Sequence, residues 1–162
     1  MWRMSKQSVE HAIRFVMLVV AVLLAADLRP VSAGEYFERD GLAIGGYDPV
    51  AYFTDQKPVK GSPEFQATHR NSTFQFASSV HRDLFASDPA KFAPQYGGYC
   101  AYGMAKGYKA KIDPAAFTVV DGKLFLNYND TVRAQWLSDI SGYIRKADAN
   151  WPEAMKLTKV HE

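Results

Sequence analysis

The chain has 162 residues, of which 19 are basic and 17 acidic, so its formal net charge is +2 at pH 7. The first 33 residues hold four of the basic and two of the acidic side chains, which leaves 15 of each in residues 34–162. A neutral chain lacks the excess of basic side chains that would attract nucleic acid or an anionic membrane. The length predicts one small domain, and a single cysteine excludes an internal disulfide.

The first 33 residues have the layout of a secretory signal peptide. Arg3 and Lys6 precede an apolar run at 15–26, and the segment ends in the small residues Val31-Ser32-Ala33. The apolar run is shorter than the ~20 residues that a transmembrane helix needs. We therefore expect cleavage after Ala33 and export to the periplasm or beyond, with no membrane contact once the signal is removed.

The next part of the chain predicts a short helical turn and a β-hairpin. Asp48-Pro49 has the chemistry of an N-cap followed by the first helical residue. Apolar and polar residues then alternate over 64–69 and over 73–76, on either side of Asn71-Ser72. Alternation around turn-forming residues is typical of a hairpin.

Three short helical segments follow the hairpin. Ser78 or Ser79 is expected to begin a helix that Asp88-Pro89 ends, and a second short helix follows over 89–96. One or two helical turns are expected over 99–106, ended by Gly107.

The last third predicts a second hairpin and a helical C-terminus. Asp121-Gly122 between two apolar runs is the strongest hairpin signal of the chain. Asn129 or Asp130 is expected to cap a helix, and a helical pattern then continues to Met155, restarted near Gly142 and Pro152. We expect the final residues to be loose. The fold class is therefore α+β, with hairpins or a small antiparallel sheet and short helices.

Part of this sequence resembles the YHS domain family, a relative of the treble-clef-like TRASH metal-binding modules. The resemblance lies in Asp48-Pro49-Val50, the block at 76–85 and Asp88-Pro89. The family block has an aromatic residue, Cys, Ser, two variable residues, Cys, three variable residues and Phe. Ala77 stands at the first cysteine position and His81 at the second, and no ligand follows Val50. The resemblance implies a treble-clef-like core whose ligand set has changed.

The runs at 96–102, 120–124 and 147–152 resemble a subgroup of exported bacterial YHS-domain proteins. Some members of that subgroup carry selenocysteine at the position of Cys100. The resemblance covers nearly all of residues 34–162. It implies one YHS-type domain with a C-terminal helical extension.

Four side chains are candidate metal ligands: Cys100, His81, His69 and Met104. Met104 follows Cys100 by four residues, which places both on one face if the segment is helical. Thiolate, imidazole and a weak thioether are typical of copper sites. We therefore expect a binding or handling module for copper, with zinc as the second choice, rather than a turnover enzyme. The expected partners are the metal ion and a periplasmic protein.

Two other interpretations of Cys100 stay open. A helix that begins at Cys100 after Gly97-Gly98 would lower the thiol pKa and favour redox chemistry, although no second cysteine is present to resolve an oxidised form. Alternatively, Cys100 is an inert buried residue of a structural or ligand-binding domain. Tyr99 and Tyr102 are candidate hydrogen-bond donors behind the ligands. His161 lies in the expected loose tail and is not counted among the candidate metal ligands.

Overall fold

The computed structural model describes residues 34–162, so the predicted signal peptide lies outside the described residues. The described chain is an α+β fold of short helices and small strand pairs, as the sequence predicts. These residues lie within one compact unit. None of their helices is long and apolar enough to span a membrane.

The strands of the described range form four separate pairs. In chain order they are β1 (Glu38–Arg39), β2 (Leu42–Ala43), β3 (Ser62–His69), β4 (Ser72–Phe76), β5 (Lys109–Ala110), β6 (Asp113–Val120), β7 (Lys123–Asn127) and β8 (Val160–His161). The pairs β1–β2, β3–β4 and β6–β7 are antiparallel, whereas β5 and β8 are parallel. The two longer pairs confirm both predicted hairpins.

The first long hairpin turns one residue earlier than predicted. His69 pairs with Ser72, so Arg70 and Asn71 form the two-residue turn and Ser72 belongs to β4. Both turn residues have positive φ, 48° and 65°. Turns of this kind match the right-handed twist of the flanking strands, and asparagine tolerates the left-handed conformation.

The helices are short, and several begin at side-chain caps. They are α1 (Ala51–Thr54), α2 (Ser79–Ser87), α3 (Pro89–Phe92), α4 (Ala101–Ala105), α5 (Asp130–Leu137) and α6 (Ile140–Ala154). Ser78, Asn129 and Asp139 accept hydrogen bonds from backbone N–H groups three residues further on, at 2.9–3.2 Å. These bonds satisfy donors that a helix N-terminus otherwise leaves unpaired. The predicted starts at Ser78 and Asn129 are confirmed. Helix α3 ends early because Ala93 precedes Pro94 and is extended, with ψ 138°.

Buried side chains form two clusters. The larger core contains Trp136 and the β7 residues Leu124, Phe125 and Leu126, together with Cys100 and Met104. The smaller core contains the aromatic residues Phe74, Phe76, Phe85 and Phe92 around β4 and α2. The candidate site residues are therefore distributed over two different packing environments.

The C-terminal tail is ordered by strand pairing, so the expectation of a loose end is wrong. Val160 pairs with Lys109 and His161 with Ala110. Lys109 is fully buried, and its Nζ donates to the carbonyl oxygens of Met155 and Leu157 at 3.0 and 2.9 Å. These bonds satisfy the buried ammonium and hold the segment just before β8. The pairing joins residues about fifty positions apart, which local sequence patterns do not report.

A glycine-dependent close approach ties the first described residues to the middle of the chain. Tyr96, Gly97 and Gly98 all have positive φ, and the carbonyl oxygen of Gly97 accepts from the N–H of Phe37 at 2.8 Å. A Cβ atom on Gly97 would overlap the carbonyl group of Glu35. The glycine is required both for its conformation and for its lack of a side chain.

Replacing Gly97 by alanine is expected to lower the free energy of unfolding by about 2–4 kcal/mol, from left-handed strain and backbone overlap together. The matched control is Gly122→Ala, because Gly122 also has positive φ (71°) but no atom lies within 4 Å of the place that a Cβ would take. The control should lose only about 1 kcal/mol. Urea unfolding followed by circular dichroism measures both, and equal losses would contradict the overlap.

Candidate functional site

Cys100 occupies the N-cap position of α4. Its Sγ accepts a hydrogen bond from the N–H of Gly103 at 3.4 Å and lies 3.8 Å from Oδ1 of Asn127. The residue is 2% exposed. The expected helix start at the cysteine is thus one residue away from the observed one, and the sulfur faces the N–H groups of the first turn.

Burial raises the pKa of the Cys100 thiol. Hydrogen bonds from the backbone N–H groups of Gly103, Tyr128 and Tyr102 act in the opposite direction but do not outweigh the loss of water. A reactive redox thiol needs a lowered pKa. The direction of the shift therefore argues against the redox interpretation of Cys100.

Cys100 lines a pocket of about 270 Å³ together with His161. Tyr102, Tyr108 and Tyr128 contribute aromatic walls, and the ring of Tyr108 lies 4.8 Å from that of His161 between centroids. His161 reaches this place because β8 pairs with β5. The sequence places His161 in a tail expected to be loose, and no local pattern predicts the strand pairing that brings it to this pocket.

Asn127 is a second side chain at the thiol that the sequence did not single out. It is fully buried at the end of β7, and its Oδ1 accepts from the N–H of Tyr102 at 3.2 Å. Its Nδ2 has no hydrogen-bond partner within residues 34–162. A buried unsatisfied donor is costly, whereas the Asn127 atom nearest the sulfur is the acceptor Oδ1, which suits the neutral thiol.

The other predicted residues of this region have different positions. Met104 is fully buried in the larger core and is not among the residues that line the pocket. The hydroxyl of Tyr99 donates to the carbonyl oxygens of Gly34 and Tyr36, both at 3.2 Å. Tyr99 thus anchors the first described residues, whereas Tyr102 lines the pocket as a wall.

His81 is held by a buried carboxylate. Its Nδ1 lies 2.6 Å from Oδ2 of Asp48, and its Nε2 lies 3.5 Å from Oγ1 of Thr54. Asp48 is fully buried. Because a carboxylate only accepts hydrogen bonds, Nδ1 carries the proton of this pair, and in the neutral ring Nε2 is the acceptor nitrogen.

The same carboxylate accepts hydrogen bonds from the positions that the resemblance aligns with metal ligands. Oδ2 of Asp48 accepts from the N–H of Ala77 at 2.8 Å, and Oδ1 accepts from the N–H groups of Val50 and Ala51 at 2.8 and 3.3 Å. Of the aligned positions 51, 77 and 81, only His81 has a side chain that can ligate a metal. The residues present therefore do not fit the family's ligand set.

His69 lies beside the smaller core. Its ring is 6.1 Å from that of Tyr36 and 5.9 Å from that of Phe85. Burial, followed by the positive charge of Arg70, lowers its pKa. Cys100 and Met104 thus belong to the larger core, whereas His69 contacts aromatic residues of the smaller one and His81 contacts Asp48. Residues 34–162 contain no group of three or more His, Cys, Asp and Glu side chains that could hold a metal.

Comparisons with protein-family models, with curated proteins and with solved structures found no match for this chain. The resemblance to the YHS family stays a prediction. We therefore infer function from the geometry around Cys100 and Asp48.

Asp48→Asn is expected to destabilise the fold by about 2–4 kcal/mol, because an amide cannot accept all four hydrogen bonds at a buried position. Asp83→Asn is the matched control, since Asp83 is exposed and pairs only with the neighbouring Arg82 within the described residues. Thermal and urea unfolding measure both variants. A loss in Asp48→Asn no larger than that in Asp83→Asn would show that the carboxylate is dispensable.

The raised pKa of Cys100 predicts that alkylation of the thiol is slow at neutral pH and that its rate rises only at higher pH than for a free thiol. The rate constant with iodoacetamide should keep rising beyond the ~8.5 at which a free thiol titrates. The control is the same protein in denaturing urea, where the rate should follow a free thiol. A midpoint below that of the unfolded protein would instead support the redox interpretation.

Proposed function

We propose that this chain is an exported protein that binds a soft or borderline transition metal, copper before zinc, at a site centred on Cys100. The observation that carries the proposal is the pocket lined by both Cys100 and His161. Thiolate and imidazole are the two side chains that copper and zinc sites share. In this proposal His161 takes the place that the sequence assigned to His81.

The protonation of Cys100 separates metal binding from redox chemistry. A thiol with a raised pKa is a poor nucleophile at neutral pH, because little thiolate is present. A coordinating metal, however, displaces the thiol proton itself. The N–H of Gly103, which already donates to Sγ at 3.4 Å, is a donor that suits the resulting thiolate. Burial at this position therefore opposes the redox function more than the metal function.

The number of donors favours copper over zinc. Structural zinc sites are closed by four protein ligands, whereas this pocket offers one thiol and one imidazole as donors. Glu162 lines the pocket as well. Glu162 also pairs with Lys111, at 3.3 Å between Oε2 and Nζ. A sulfur and a nitrogen donor with few competitors suit Cu(I), which soft ligands select.

The pocket supports binding and handling of a metal rather than turnover. Tyrosines form its walls, and His161 itself is exposed. An exposed ligand on a two-residue strand allows transfer of a bound metal to a partner protein. The resemblance to the YHS family, which is related to metal-binding modules, supports the same class of function.

The test is an anaerobic titration of the protein purified after export, with Cu(I) in competition with a chromophoric chelator and with Cu(II) and Zn(II) directly. The wild type should bind one equivalent of Cu(I). Cys100→Ser should abolish binding, and His161→Ala should weaken it by at least about tenfold, since a ligand is expected to matter no less than an outer-shell partner.

His81→Ala is the matched control, because it removes an imidazole that does not line the Cys100 pocket and should leave Cu(I) affinity unchanged. Loss of Cu(I) affinity in His81→Ala but not in His161→Ala would favour Cys100 and His81, the pair that the sequence predicts. Unchanged affinity in Cys100→Ser would contradict a metal site at the thiol altogether.

A further inference from the structure

A second concave site lies between α1, β6 and α5, and it shares no residue with the Cys100 pocket. Its volume is about 400 Å³. The aromatic side chains of Tyr52, Phe53 and Phe117 form its apolar walls, with Val119 beside them. The rings of Tyr52 and Phe117 lie 4.9 Å apart between centroids. A cavity of this size and lining suits a compact organic ligand.

Arg133 is the one charged side chain among the described residues that line this pocket. Its Nε donates to the carbonyl oxygen of Phe117 at 2.6 Å and lies 3.0 Å from Oγ1 of Thr118. These bonds hold the guanidinium plane against β6. Its Nη1 and Nη2 make no hydrogen bond or ion pair within residues 34–162. The half-buried cation therefore keeps two nitrogens for an incoming group.

We propose that this pocket binds a small monocarboxylate that carries an aromatic ring. The planar guanidinium fork matches a carboxylate in size and hydrogen-bond geometry, and the aromatic walls match a ring. Within residues 34–162, no acidic side chain lines the pocket to compete for Arg133. The ring contacts distinguish an aromatic acid from an inorganic anion, which would use Arg133 alone.

The probe is benzoate, titrated into isotopically labelled, metal-free protein and followed by amide chemical shifts in two-dimensional NMR. Benzamide is the neutral analogue of the same shape, and inorganic phosphate is the anion without a ring. Benzoate should bind at least about tenfold more tightly than either, with the largest shifts at Thr118, Val119 and Gln56. Cys100→Ser should bind benzoate like the wild type, which separates this site from the metal site.

Arg133→Met should remove the preference for benzoate over benzamide. Its matched control is Arg145→Met, because Arg145 is an exposed arginine of α6 that does not line the pocket. Should Arg133→Met fail to fold, Val119→Glu places a carboxylate at an exposed wall position instead. That variant should weaken benzoate at least about tenfold and benzamide much less, because like charges repel.

Three results would overturn the proposal. One is equal affinity for benzoate and benzamide, and another is phosphate binding as tight as benzoate. The third is an Arg145→Met variant that loses as much benzoate affinity as Arg133→Met.

Discussion

The buried carboxylate of Asp48 is the interaction on which this part of the fold depends. Its two oxygens accept hydrogen bonds from the backbone of Val50, Ala51 and Ala77 and from the ring of His81. These partners belong to the start of α1, the end of β4 and the first turn of α2. A buried anion is tolerated only when its acceptors are paired. One side chain thereby holds three chain segments together and fixes the tautomer of His81.

Burial has opposite consequences at Cys100 and at Lys109. At Cys100 it raises the pKa, which suppresses spontaneous thiolate chemistry. At Lys109 it lowers the pKa of the amine, although two carbonyl oxygens accept from Nζ and the ring of Tyr99 lies 4.6 Å from it. The lysine anchors the chain before β8 and so brings His161 to the thiol pocket.

The aromatic residues of this chain do more than fill the two cores. Tyrosines line the Cys100 pocket, and tyrosine and phenylalanine line the Arg133 pocket. Amphipathic or polarizable rings can bury one face and offer the other to a ligand. One residue class thus supplies both packing and the walls of two pockets among the described residues.

Local chemistry in the sequence was sufficient for the α+β class, for both long hairpins and for the helix starts at Ser78 and Asn129. Each of these depends on residues a few positions apart, such as a cap and the N–H groups whose hydrogen bonds it accepts. Tertiary structure alone decided which histidine lines the same pocket as Cys100. The parallel pairing of β5 with β8 brings His161 to the Cys100 pocket, while His81 is bound to Asp48 and does not line that pocket. Contacts between residues tens of positions apart depend on the packing of the whole domain, and no spacing in the chain reports them.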